Sequence, residues 1–314
     1  MTTYPAATQP TLHFIGVSTG QSSIMRVFPA WARHLGLDAA IRGIDLPLHA
    51  EPSRYRETIA FLKSDPLSRG ALVTTHKLDL FAAARDLIDE VDPLADLMAE
   101  TSCLSKRGAR LIAHAKDPIS SGLAIDGFLA PDHFARTGGE ALLLGAGGSA
   151  VAILWHLTRP RPDRPARTTV TDIAPERLAH IGGIHGAEAG GVPIDYLLAA
   201  TAADIDRRLA ALVPGSLVVN ATGLGKDAPG SPLTDAARFP AAAVAWELNY
   251  RGDLVFRAQA RAQTASRGVA VHDGWTYFVH GWTRVIAEVF DTAIPASGPD
   301  FDALARIAAA AGQG

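Results

Sequence analysis

The chain has 314 residues and a single cysteine, Cys103. One cysteine excludes an intrachain disulfide framework and fits a reducing compartment. A small, buried structural thiol is the expected role for Cys103. Charge excess is also lacking, because 29 basic and 32 acidic residues leave a net charge of −3. That balance argues against broad electrostatic binding of nucleic acid or a membrane surface. No apolar run approaches the ~20 residues that a membrane-spanning helix requires. The start, MTTYPAATQP, has neither a basic cluster nor an apolar core, so no secretory leader is expected and the location expected is cytoplasmic. The 11 histidines show no H-x-x-x-H or C-x-x-C spacing, and no metal site is expected.

What the chain does have is length enough for two cores and a regular alternation of strand and helix. Strand patterns cover residues 12–17, 40–46 and 70–75, with helical patterns at 24–35, 52–62 and 76–87 between and after them. A short helix at 92–99 opens on Asp-Pro, two extended pieces follow at 102–105 and 110–114, and a second Asp-Pro at Asp117 opens a helix to residue 129. Further strands are expected at 168–171, 192–197, 217–220, 241–248 and 269–272. Helices are expected at 175–181, around 203–212, at 275–290 and at 301–311, with a glycine-rich loop over 182–191. This order predicts α/β layers with a largely parallel sheet.

The most informative stretch begins with the apolar run at 141–144. It leads directly into Gly145-Ala146-Gly147-Gly148-Ser149-Ala150 and then a helix. A dinucleotide pyrophosphate needs that order: Gly145 for a tight turn, Gly147 for close backbone approach, Ala150 for helix–strand packing, and helix N–H groups for the anion. An ordinary strand–turn–helix corner is the competing reading. Asp172, after the second strand of this half, would accept from adenosine ribose hydroxyls and repel a 2′-phosphate, which favours NAD over NADP.

With these pieces in place, the chain resembles the shikimate dehydrogenase family over nearly its whole length. The matching stretches are IGVSTGQSS at 15–23, LVTTHK at 72–77, SCLSKRGARLIAHAKD at 102–117, the glycine loop, Asn220-Ala221-Thr222-Gly223, Asn249-Tyr250 and Asp273-Gly274. The resemblance implies an N-terminal α/β substrate domain formed by 1–117 with 275–314, and a Rossmann-type doubly wound nucleotide-binding domain over 118–274. It implies hydride transfer between a nicotinamide and a small carboxylated alcohol or ketone. Lys77 would move the proton and Asp117 would orient it. From position alone, Lys77 reads equally as a solvated lysine at a helix start, where the dipole would depress its pKa. Asp117 reads equally as a helix cap.

Ser22, Thr74, Ser102 and Tyr250 are the candidate substrate ligands. Ser22 could instead cap a helix, and Tyr250 could simply pack at a strand end. The 220–223 turn and Gly274 would border the cofactor. His76, His114 and Lys116 are not family features, and their roles stay open. Several family amides are replaced here, by Leu72, Ser102, Ala115-Lys116 and Gly281, and the family's second serine falls at Ile24. The substrate is therefore not expected to be shikimate itself. Two other readings remain: an enzyme resembling methylene-tetrahydropterin dehydrogenases that acts on an imine, and a silent NAD-binding regulator. A homodimer is compatible with each.

Overall fold

The computed structural model describes residues 4–225 and 228–312. The outermost ends of the expected domains, 1–3 and 313–314, lie outside them. Two compact units emerge, Met1–Ser120 with Val279–Gly314, and Ser121–Phe278. Both boundaries fall inside helices, rather than at the helix starts where the sequence suggested them.

The first unit holds the strands β1 (Thr11–Gly16), β2 (Ala40–Asp45), β3 (Ser68–Val73), β4 (Glu90–Val91), β5 (Cys103–Arg107) and β6 (Arg110–His114). Its helices are α1 (Ile24–Leu35), α2 (Pro52–Ser64), α3 (Lys77–Ala84), α4 (Pro93–Met98) and the start of α5 (Asp117–Phe128). The strand order is β2-β1-β3-β5-β6-β4. Parallel pairs join β2, β1 and β3 and also β4 and β6, within the largely parallel arrangement expected. The pairs β3/β5 and β5/β6 are antiparallel, and for β5/β6 the two-residue link at Gly108 and Ala109 allows no crossover. All six residues of β1 are buried. Ile15, Ile59, Leu62, Val73, Leu80 and Leu104 are among the residues that form this unit's core. In α1 the apolar stripe Ile24, Val27, Phe28 and Trp31 is buried, and Gly36 ends the helix in the left-handed conformation.

The second unit continues with α6 (His133–Thr137), β7 (Ala141–Leu144), α7 (Gly148–Thr158), β8 (Thr168–Asp172), α8 (Pro175–His185), β9 (Glu188–Ala189) and β10 (Val192–Leu198). It is completed by α9 (Ala202–Ala210), β11 (Leu217–Asn220), β12 (Val244–Glu247), α10 (Val255–Arg261), α11 (Thr264–Arg267) and β13 (Ala270–His272). The order β13-β12-β11-β7-β8-β10-β9 is doubly wound, and only the β9 pairing is antiparallel. The order reverses between β7 and β11, which places the loops after those strands at the topological switch point. One helix differs from its expectation. α8 runs through Gly182 and Gly183 to His185 instead of yielding to a loop, and Gly182 lies against the Tyr196 ring. The helices α12 (Trp275–Phe290) and α13 (Pro299–Gly312) close the chain. Trp31 donates to the carbonyl of Leu304 over 2.8 Å, tying α1 to α13 within the first unit.

Candidate active site

In the second unit, β7 delivers its loop where backbone geometry leaves no room for a side chain. Gly145 has φ +97°, and a Cβ there would stand 2.9 Å from the Ala221 carbonyl oxygen and 3.1 Å from the Thr222 nitrogen. At Gly147 the situation is opposite: an added Cβ meets no heavy atom within 4 Å among the described residues. Gly147 precedes the first turn of α7 and offers no side-chain cap. The N–H groups of Gly148, Ser149 and Ala150 lack acceptors one turn earlier in the helix. A tight turn, open space and first-turn donors together fit a pyrophosphate.

Asp172 is the last residue of β8 rather than a residue beyond it. Its Oδ2 accepts from the Ala146 N–H at 2.7 Å and its Oδ1 from the Ala174 N–H at 2.9 Å. The carboxylate expected to meet a ribose therefore also anchors the glycine loop. The Asn220 side chain stiffens the neighbouring turn, accepting from the Thr222 N–H (3.2 Å) and hydroxyl (2.7 Å). Asn220 also donates to Glu247 Oε2 at 2.7 Å, and the Asn249 N–H donates to Oε1 at 2.8 Å. Burial pushes Glu247 up to about 7 against these hydrogen bonds. Gly274 is required sterically, since a Cβ there would fall 1.8 Å from the Leu248 carbonyl oxygen. Tyr250 packs its ring against Trp275 and Phe278, at 5.5 and 4.9 Å between centroids.

In the first unit, two helix starts bring Lys77 and Asp117 together across 40 positions of sequence, Lys77 Nζ donating to Asp117 Oδ2. The side chains are only 14% and 12% exposed, so solvent screens the pair weakly. Asp117 opens α5 as its first residue. Burial alone would pull the Lys77 ammonium down, but the charges of Asp117 and Glu100, with the Asp117 hydrogen bond, hold it above its ordinary value. The expected depression by the helix dipole is thus reversed, because a contact ion pair in a buried place outweighs a partial charge at a helix end.

The other candidates divide. Thr74 is half-buried just after β3, its N–H bonded to the Ile15 carbonyl at 3.0 Å. Ser22 is buried, and the cap position of α1 belongs to Ser23, so the capping role expected for Ser22 is not observed. Ser102 Oγ accepts from the Lys116 N–H at 2.7 Å, which fixes the chain one residue before Asp117. Lys116 pairs with Glu288 at 2.8 Å.

His114 lies between Ser105 Oγ (2.8 Å from Nε2) and Asp92 Oδ2 (3.1 Å from Nδ1). Ser105 has no exposed surface, so this alignment is a buried polar network. The His76 Nδ1 lies 3.1 Å from the Tyr55 hydroxyl, and burial holds the ring below its ordinary pKa. Cys103 is buried and burial pushes its thiol far up, which leaves it inert. Sequence reading missed Glu247, whose only signal would have been a carboxylate in an otherwise apolar stretch, and Glu100, which carries no signal. Among the described residues no cluster of three His, Cys, Asp or Glu could hold a metal, and no helix is long and apolar enough to cross a membrane.

The chain thus combines a mixed α/β unit that holds a buried lysine–aspartate pair with a Rossmann-type unit that carries a glycine loop at its switch point. No family model matches the chain. A shikimate dehydrogenase (NADP(+)) of Sphingopyxis alaskensis is 26% identical over 305 residues, 96% of this chain and 97% of that protein. Another, from Symbiobacterium thermophilum, is 28% identical over 254 residues, 77% of this chain and 80% of that protein. The fold matches the crystal structure of shikimate 5-dehydrogenase from Thermus thermophilus in complex with NADP(H) and shikimate, with a TM-score of 0.69, 21% identity, and 96% and 99% of the two chains covered. The chain is a divergent relative of the shikimate dehydrogenases.

Proposed function

We propose that the protein is an NAD(P)-dependent oxidoreductase that interconverts a CH–OH group and a ketone on a small carboxylated substrate. The observation that carries this reading is the buried Lys77–Asp117 pair, on a chain that also presents a glycine loop fitted to a pyrophosphate. When bound, the dinucleotide supplies or accepts the hydride. Gly145, Gly147 and the first turn of α7 would hold its pyrophosphate, and the turn from Asn220 to Gly223 would border its nicotinamide end.

Lys77 moves the proton. In reduction, an N–H bond of the ammonium breaks as an O–H bond forms on the former carbonyl oxygen; in oxidation the neutral amine takes that proton back. Asp117 holds Nζ in one place and stabilises its charged form. A lysine kept above its ordinary pKa is stored as a proton donor near neutral pH, which suits the reductive direction.

Ser22, Thr74 and Tyr250 are the remaining polar groups for a carboxylate and hydroxyl. Shikimate is a poor fit. Leu72 stands where a family amide would, Ser102 is committed to the backbone, and Lys116 is paired with Glu288. Each ring hydroxyl left without a partner costs on the order of 1–3 kcal/mol. The relatives are named for NADP(+), while Asp172 supports a preference for NAD.

Steady-state assays of cyclic and acyclic hydroxy acids and their keto forms, with NAD(H) and NADP(H), test the reading. Turnover is expected for one of these acids, with shikimate poorer by roughly tenfold or more, as one unpartnered hydroxyl already implies. Tight cofactor binding without turnover across the panel would favour the silent regulator. Turnover confined to methylene-tetrahydropterins would favour the imine-directed enzyme.

A further inference from the structure

Glu247 ends β12 with no exposed surface, directly beside Asn220, which ends β11 and is equally buried. Its two oxygens both face donors. Oε2 accepts from Asn220 Nδ2 at 2.7 Å, and Oε1 accepts from the Asn249 N–H at 2.8 Å. A directed chain of donors stands behind these two. The Leu224 N–H donates to the Thr222 hydroxyl at 3.1 Å, and that hydroxyl donates to Asn220 Oδ1 at 2.7 Å. The Thr222 N–H donates to the same Oδ1 at 3.2 Å. Asn249 closes the ring, its Nδ2 donating to the Leu224 carbonyl at 3.1 Å. The ionised carboxyl suits this arrangement, because it accepts with both oxygens and donates with neither. A proton on Oε2 would set an O–H against the Nδ2 donor. Turning the Asn220 amide over would give that O–H an acceptor, but it would point Nδ2 at the Thr222 N–H and hydroxyl. Both hydrogen bonds that shape the turn would then be lost. A proton on Oε1 would meet the Asn249 backbone N–H, which cannot be turned over.

We propose that Glu247 is a positioning residue for the cofactor: its carboxylate fixes the Asn220 amide and with it the turn at 222–224, and a proton on Glu247 releases that turn. The proposal rests on the dinucleotide part of the oxidoreductase reading, in which this turn borders the nicotinamide. Glu247 acts through Asn220 and touches no reacting atom. The neighbouring strand β11 faces it with the Asn220 amide, the segment after β12 with Asn249, and α10 with the charge of Arg257, itself paired with Asp273 at 2.9 Å. Burial pushes the carboxyl up to about 7 against the pull of these groups, so the turn is held above that pH and released below it. The dinucleotide binds the ionised form, and its apparent affinity follows the ionised fraction. That fraction falls about tenfold from pH 8 to pH 6.

NADH is the probe, because the 2′-phosphate of NADPH would itself titrate near pH ~6. Its Kd, read by fluorescence quenching, should rise about tenfold between pH 8 and pH 6 in the wild type. Glu247→Gln keeps the size of the side chain but pairs one acceptor with one donor group, as the neutral acid does. This variant should bind NADH as weakly at pH 8 as the wild type does at pH 6, with no slope between. Glu247→Asp restores a carboxylate and should restore the slope, which a role in folding alone would not do. Hydrogen exchange at the Thr222 and Leu224 amides, corrected for its intrinsic pH dependence, reports the turn without cofactor. It should be faster at pH 6 than at pH 8 in the wild type, and fast at both in Glu247→Gln. A wild-type slope kept by Glu247→Gln, in exchange and in affinity, would overturn the proposal and leave the dinucleotide reading intact. Should that variant not fold, exchange in the wild type that stays level with pH overturns the proposal equally. Sloped exchange without NADH binding at any pH would support the hold of Glu247 on the turn and overturn the dinucleotide reading instead.

Discussion

Gly145 in the second unit matters for the side chain it lacks, whereas Lys77 in the first matters for the one it carries. The glycine loop works through backbone: a φ of +97°, a contact with Ala221 too close for a Cβ, and helix N–H groups. Its own sequence is six consecutive residues, 145–150. The proposed catalytic pair, Lys77 and Asp117, works through side chains gathered from distant positions, and burial and the charge of Glu100 act on its electrostatics. A local backbone device can be read along the chain, because its constraint acts between neighbours. A side-chain device depends on what the fold encloses, and position in the sequence says little about its charge state.

Two devices built so differently should fail separately. The largest effect should come from Lys77→Ala, with kcat falling by about 10²–10⁴ as the proposed proton donor is lost. Dinucleotide affinity, read by quenching of protein fluorescence, should stay at the wild-type value. A parallel loss of affinity would show that the devices are not independent. Gly145→Val is the reciprocal experiment. Its Cβ would press on the Ala221 carbonyl at a φ that valine resists, and strain of about 1–3 kcal/mol should weaken dinucleotide binding roughly ten- to a hundredfold. The pH dependence of Lys77 acetylation should be unaltered. A shift in that curve would instead place Lys77 under the control of the loop.

How much is legible in the sequence follows the same division. The apolar run before Gly145, the stripe on α1 ending at Gly36 and the strand–helix alternation are local patterns, and the elements follow them closely. The hairpin of β5 and β6 is local too, since two extended pieces flank a short turn, whereas the antiparallel pairing of β3 with β5 is tertiary and alternation alone does not fix it. Motif resemblance singles out Lys77 and Asp117, which the structure brings into contact, but does not give the sign of the lysine's pKa shift. The dipole argument uses only the helix that Lys77 starts, and the governing charges come from two other segments. Glu100 gives no signal, since a lone glutamate in the sequence reads as a surface residue until burial is seen. The commitments of Ser102 to Lys116, and of Asp172 to Ala146, are tertiary as well.

Asp172 is where the division is least clean, because one carboxylate serves both the loop's shape and the proposed choice of cofactor. Its two oxygens accept from Ala146 and Ala174, and each has a second lone pair for a ribose hydroxyl. Asp172→Asn separates the two duties. The amide keeps one acceptor oxygen, so one loop hydrogen bond is lost, costing about 1 kcal/mol for NAD and NADP alike. Removing the negative charge should act on only one cofactor, relieving repulsion of the 2′-phosphate. The expected outcome is a small common loss of affinity with a shift of up to about tenfold in the NADP-to-NAD ratio toward NADP, measured by titration of both reduced cofactors at fixed ionic strength. Equal loss for the two, with the ratio unmoved, would mean that Asp172 serves the backbone alone. The second unit would then hold no side chain that selects the cofactor by charge at this position, and the preference for NAD would lose its support.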